Sequence, residues 1–201
     1  MIYRVRENEQ LSHIHIHSMA DMHTRELDLS TFVTLSPVPE FASWLSVSCH
    51  FADNQQFDTH VLLAEDTPVI EQLYRATCEP ATPSPSAVHH AAMLQSLLSR
   101  AQGTLSPTGR EILVRLSPIL KRLCARYLLL EKRRKLALDS VANFHLRNGA
   151  QLHCINALAD LSPNGLRRSH GMMVNYLYDF EQLERNNTRY LLGDPIACSP
   201  E

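Results

Sequence analysis

The sequence is short of the features that commit a chain to a specialised class. It has no CxxC pair: Cys49, Cys78, Cys124, Cys154 and Cys198 are dispersed. An odd, scattered set reads as reduced thiols in a reducing compartment, not as a disulfide framework. No apolar run approaches the ~20 residues a membrane span needs. Met1-Ile2-Tyr3-Arg4-Val5-Arg6 leads straight into polar sequence without a secretory apolar core. These features point to a cytoplasmic chain with no membrane partner, and they leave the sequon Asn186-Asn187-Thr188 without meaning. Charge of one sign is also lacking. Nineteen Lys+Arg against twenty-one Asp+Glu leave a formal charge of −2, without the basic field of a dedicated nucleic-acid binder. There is no P-loop GKS, GxGxxG, HExxH or GxSxG, and there are no internal repeats.

What is present is ordinary globular composition, 44% hydrophobic and 20% charged over 201 residues, which fits one domain. Residues 31–35 (TFVTL) are rich in β-branched and aromatic side chains and read as a short strand closed by a turn at Ser36-Pro37-Val38-Pro39. A short helix is expected over 41–47, and 18–27 is compatible with another. Three prolines over 78–88 mark a linker. Helical spacing follows over 91–101, then over 107–135, where Ile112, Leu113, Leu116, Leu120, Leu123 and Tyr127 form one stripe. Pro118 is expected to kink or split that helix near Ser117. The basic run Glu131 to Lys135 should close it as a solvated terminus.

Residues 141–147 predict a helix stopped by Asn148-Gly149. The alternation over 151–159 (Leu152, Cys154, Asn156, Leu158) predicts a half-buried strand. The stretch 166–178 ends in the second apolar run Met172-Met173-Val174-Asn175-Tyr176, giving helix, glycine, strand, turn and strand.

Three constellations bear on chemistry. His13, His15 and His17 alternate with isoleucine; on a strand they would share one face in a zinc-like number. With no acidic partner in the pattern they read as surface histidines, and no metal site is assigned. His145 lies between apolar neighbours just before the glycine stop, which suits a hydrogen-bonded core histidine as well as a functional one. Ser36 sits where a strand meets a proline. Strand ends in open α/β sheets carry ligand groups, but Ser-Pro is equally an ordinary turn.

Three segments taken together resemble the malonyl-CoA decarboxylase family: FVTLSPVPEFASWL (32–45), LCARYLLLEKRRKLALDSVANFHLRNGAQLHCINALAD (123–160) and GLRRSHGMMVNYLYDF (165–180). The resemblance implies an α/β (α+β) chain corresponding to the C-terminal part of a GNAT-like acyltransferase fold. Residues 1–201 would form a single partial catalytic domain, with a helical insertion at about 60–138 that holds the linker 78–88. VANFHLRNGAQL is similar to the acetyltransferase helix ending A-x-x-F-Y-x-x-x-G-F, with His145 in the place of the tyrosine. The family's serine falls on Ser36 and its histidine on His145, and the resemblance makes both catalytic and substrate-binding.

The implied reaction takes malonyl-CoA to acetyl-CoA and CO2. Ser36 would hold the malonyl carboxylate so that the breaking C–C bond lies out of the thioester plane. His145 would stabilise or protonate the enolate. The thioester is itself the electron sink, so no metal or organic cofactor is implied. One cation of the basic run remains available to a CoA phosphate. The implied partners are malonyl-CoA and further copies of the chain, with no nucleic acid and no membrane.

Several positions depart from the family's pattern. Glu40 replaces its glycine after SPIP, and Asn156-Ala157 replaces its Asn-Trp. The Gly-rich loop that would carry the CoA pyrophosphate has no equivalent, and neither has the helical domain before it. The chain therefore reads as a C-terminal part, from a fragment, a split gene or a truncated frame. In such a part the strand at 31–35 should present an unpaired edge that invites self-association, CoA should bind weakly and the chain alone should be inactive. An acyl-CoA acyltransferase, or an inactive remnant serving as an interaction module, are the alternatives.

Overall fold

The computed structural model describes residues 2–3, 13–14, 31–53, 61–77, 90–102 and 106–199. The strands are β1 (Ile2–Tyr3), β2 (His13–Ile14), β3 (Thr31–Thr34), β4 (Ser36–Pro37), β5 (Lys132–Arg133), β6 (Leu136–Ala137), β7 (Gln151–Asn156) and β8 (Met173–Asp179). The helices are α1 (Phe41–Asp53), α2 (Thr67–Thr77), α3 (His90–Ala101), α4 (Pro107–Leu130), α5 (Ser140–Arg147), α6 (Pro163–Ser169) and α7 (Leu183–Leu192). The fold is mixed α/β with antiparallel sheets. It divides into two compact units, Met1–Val38 with Leu128–Asn156 and Met173–Glu201, and Pro39–Tyr127 with Ala157–Met172. The helix expected at 18–27, the linker 78–88 and His15 and His17 lie outside the described residues, as does the His13 side chain.

The first unit is built on β8, which pairs antiparallel with β7 on one edge and with β3 and β4 on the other. β3 and β4 share one register along β8: Val33 stands opposite Leu177, and Ser36 opposite Val174. They are one extended strand interrupted at Leu35. The expected turn at Ser36-Pro37 is therefore displaced to Pro39-Glu40. Phe32, Thr34, Ser36 and Val38 are all buried, the period-two signature of an inward face. The expectation of an unpaired edge also fails, because β3 has β1 as its second neighbour, with Ile2 opposite Thr34 and Tyr3 opposite Val33.

On β7 the alternation is broken by a bulge between Leu152 and Cys154, and the strand ends at Asn156 rather than 159. Its outer edge is covered by the C-terminal segment: Leu152 N–H donates to Ala197 O (2.9 Å) and Ser199 N–H to Leu152 O (3.0 Å). The basic run does not close a helix. α4 ends at Leu130, and β5 and β6 form a hairpin turning at Arg134, φ 63°. Tertiary partners override the helical period there, since Leu138 N–H reaches Glu131 O (3.0 Å) and Ala137 N–H reaches the Tyr190 hydroxyl (2.8 Å). Between β7 and β8 a short helix, α6, replaces the expected turn.

The second unit is helical. All six stripe residues of α4 are buried, as are Ala91, Leu94, Leu97 and Leu98 of α3; each large apolar side chain so buried contributes roughly 1.5–3 kcal/mol. α1 runs on to Asp53, past the expected 41–47. Pro118 does not split α4. A proline offers no N–H to the carbonyl four residues back, and the Ser117 hydroxyl donates to that same carbonyl, Val114 O, at 2.8 Å. Buried Asp66 pairs with Arg122, which also reaches Val61 O (3.3 Å), tying the segment before α2 to α4.

α6 ends on His170 and Gly171, both with positive φ (51° and 81°). His170 is buried edge-on to Phe41, and burial pushes its imidazole down to about 4. The unfolded chain protonates this ring near 6.5, so its stabilising effect is complete above that pH and is lost as pH falls toward 4. We predict that His170→Asn, which tolerates the left-handed backbone, reduces the acid sensitivity of unfolding by up to about 1.4 kcal/mol per pH unit. Urea midpoints at pH 7, 6 and 5 measure this; a variant as acid-sensitive as the parent would clear His170 of the effect.

Candidate active site

α5 carries the first side chain of the site, and local chemistry sets both its ends. Asp139 is fully buried and its carboxylate accepts from Ala142 N–H (2.8 Å), capping the first turn. At the other end Gly149 takes φ 81°, and a Cβ there would fall 2.2 Å from Leu183 O. Only glycine permits both the turn and the approach of α7. Within α5, Ala142, His145 and Leu146 face inward.

The interrupted strand supplies the partner. Ser36 Oγ lies 2.9 Å from His145 Nε2, across 109 residues of sequence. Both are buried, at 6% and 9% exposure. On the far side of the ring, Nδ1 meets the Tyr178 hydroxyl at 2.6 Å. Tyr176 lies against the imidazole with centroids 4.4 Å apart and planes 18° apart. Ser36 also touches Thr34 Oγ1 at 3.1 Å. At the interruption the ladder to β8 passes through side chains: Tyr176 N–H donates to Thr34 Oγ1 (3.3 Å) and Asn175 Nδ2 to Thr34 O (2.7 Å). Asn156 Nδ2 continues this chain to Asn175 Oδ1 (2.6 Å).

Burial dominates the electrostatics. It pushes His145 from 6.5 down to about 4 and raises the Tyr178 phenol above its usual 10. Near neutral pH the site therefore holds an uncharged imidazole with one N–H and one lone pair, between two neutral hydroxyls. Such a ring is a hydrogen-bond donor or a base, not a preformed imidazolium acid.

The structure thus brings Ser36 and His145 together. Of the other signals, Glu40 is exposed just before α1 in the second unit, and Lys132 to Lys135 lie exposed on the β5–β6 hairpin. Sequence reasoning missed Thr34, Tyr176 and Tyr178. Their trace was period two: Thr34 shares an inward face with Ser36, and Val174, Tyr176 and Tyr178 share one along β8.

Residues 14–201 match the model of the malonyl-CoA decarboxylase C-terminal domain. The chain belongs to that family. It is 36% identical over 173 residues to the mitochondrial malonyl-CoA decarboxylase of Anser anser anser, covering 86% of this chain and 31% of that one. The Rattus norvegicus mitochondrial enzyme is 35% identical over 173 residues, with 86% and 32% covered. Among solved structures, malonyl-CoA decarboxylase from Rhodopseudomonas palustris superimposes with a TM-score of 0.61 at 35% identity, over 90% of this chain and 34% of that one. The enzyme from Cupriavidus metallidurans gives 0.58 at 29% identity, over 90% and 40%. The chain spans about a third of the length of the curated relatives it matches.

A phenol O–H can donate to Nδ1 only while that nitrogen is unprotonated, so the contact favours the neutral ring. Burial, the larger cause, remains in Tyr178→Phe, so that variant is expected to raise the His145 titration only slightly from about 4. An NMR pH titration of the His145 ring protons reads this, and an unmoved midpoint would show that Tyr178 does not hold the ring neutral.

Proposed function

We propose that this chain carries the reaction centre of a malonyl-CoA decarboxylase, releasing CO2 from malonyl-CoA and leaving acetyl-CoA. The observation that carries the reading is the Ser36–His145 contact of 2.9 Å in a buried setting. Ser36 donates to the malonyl carboxylate and holds the C–C bond perpendicular to the thioester plane, so that its electrons enter the carbonyl π-system. The bond between the carboxylate carbon and the α-carbon breaks, CO2 leaves, and the electron pair becomes an enolate. His145, neutral at this depth, offers an N–H to the enolate oxygen. A proton taken up from water, directly or by way of that N–H, completes acetyl-CoA at carbon.

The thioester holds the electrons throughout, so the reading needs no metal or organic cofactor. GNAT-like topology, assembly into homo-oligomers and a cytoplasmic location belong to the same proposal.

The test is CO2 release from malonyl-CoA by the chain and two variants, each alone and with the upstream part of a family enzyme supplied in cis or as a separate chain. His145→Ala is expected to lower turnover about 10²–10⁴-fold. Ser36→Ala loses a charge-assisted hydrogen bond worth roughly 1.5–3 kcal/mol, or about 10- to 150-fold, while acetyl-CoA, which lacks the carboxylate, binds the variant as it binds the parent. Equal losses for both ligands would make Ser36 structural. Turnover unchanged in His145→Ala would remove the histidine from the reaction.

A further inference from the structure

The proton positions around His145 are constrained by bond lengths and by the count of lone pairs. A neutral imidazole donates on one side and accepts on the other, so the row Tyr178–His145–Ser36–Thr34 runs in one of two directions. The lengths differ across the ring. The Tyr178 contact is 2.6 Å, in the short range of O–H donors, whereas the Ser36 contact is 2.9 Å, the usual length for N–H to oxygen. A phenol is also a better donor, and an imidazole nitrogen a better acceptor, than the reverse assignment would use. Both observations place the ring proton on Nε2.

We infer that Thr34 is the positioning residue that, together with Tyr178, sets this direction, by taking the Ser36 proton and leaving Ser36 to accept from His145 Nε2–H. Thr34 Oγ1 lies 3.1 Å from Ser36 Oγ and receives Tyr176 N–H at 3.3 Å. With the Ser36 proton its two lone pairs are filled. Thr34 is itself held by Asn175, whose amide takes its carbonyl at 2.7 Å, so the acceptor is anchored to the central strand.

The consequence is chemical. A serine that gives its proton to a histidine is an incipient nucleophile. A serine whose proton is held by Thr34 is not; an incoming carboxylate draws that hydrogen bond from Thr34 to itself, and the Nε2–H that Ser36 had accepted turns to the developing enolate. Thr34 thereby favours hydrogen-bond donation to a developing enolate over attack on the thioester carbon. This last step rests on the decarboxylase reading; the proton direction does not.

The experiment is long-range 1H–15N NMR on the histidine-labelled chain near pH 7, with the His145 signals assigned by their loss in His145→Gln. The parent should show a protonated Nε2 and an unprotonated Nδ1. Thr34→Val keeps the shape and removes the acceptor, and should move the proton to Nδ1; Thr34→Ser should restore the parent pattern. If the valine variant does not fold, Thr34→Ala replaces it. A proton on Nδ1 in the parent, or one that stays on Nε2 when the hydroxyl is removed, overturns the role of Thr34. In a chain that turns over malonyl-CoA, Thr34→Val should also lower kcat about 10²-fold with little change in KM, and Thr34→Ser should recover it. Turnover absent even with the upstream part of a family enzyme supplied would count against the decarboxylase reading and leave the NMR result standing. An active chain with its proton on Nδ1 would do the opposite.

Discussion

Burying an imidazole hydrogen-bonded to two neutral hydroxyls is the constraint around which the first unit is organised. A protonated ring at this depth would lack the solvation of water, so the histidine stays neutral, and a neutral ring must find one donor and one acceptor. Tyr178 and Ser36 meet that need at 2.6 and 2.9 Å, and Tyr176 covers a face at 4.4 Å. These contacts come from two strands and a helix whose ends are set by Asp139 and Gly149. Moving either end would carry the ring away from partners that cannot follow it.

The interruption between β3 and β4 is the second organising feature. The register along β8 is the same on both sides of Leu35, so the strand skips no residue. Side chains take over where main-chain pairing lapses, with Thr34 receiving Tyr176 N–H through its hydroxyl and Asn175 through its carbonyl. A polar residue turned toward a core is normally costly unless its hydrogen bonds are met. Here two such residues, Thr34 and Ser36, are met by one another, by β8 and by His145. The sheet thus places hydroxyls in a dry interior with their protons accounted for, a setting in which hydrogen bonds are strong and directional.

The chain belongs to the malonyl-CoA decarboxylase family, and this local arrangement is the one on which the proposed reaction rests. The site depends on partners drawn from three separated stretches of the first unit, Met1–Val38, Leu128–Asn156 and Met173–Glu201. The helical second unit has its own supports, the α4 stripe and the buried Asp66–Arg122 pair.

Much was legible from the residues alone, because it was local. The apolar stripe of α4, the core face of α3 and the Asn-Gly stop of α5 follow from contacts within one or two turns. Ser36 and His145 stood out through the motifs around them. The hidden part was non-local. Ser117 rescuing the carbonyl that Pro118 leaves bare, and Tyr190 drawing 132–137 into a hairpin, depend on side-chain partners that periodicity does not weigh. The pairing of Ser36 with His145 spans 109 residues, and neither Tyr178 nor Thr34 lies in a pattern that announces chemistry. Sequence determined which residues could form helices and strands and singled out Ser36 and His145 as candidates. Tertiary structure decided which groups touch and how deeply they are buried, because depth from water and the pairing of distant groups exist only once distant segments are packed together.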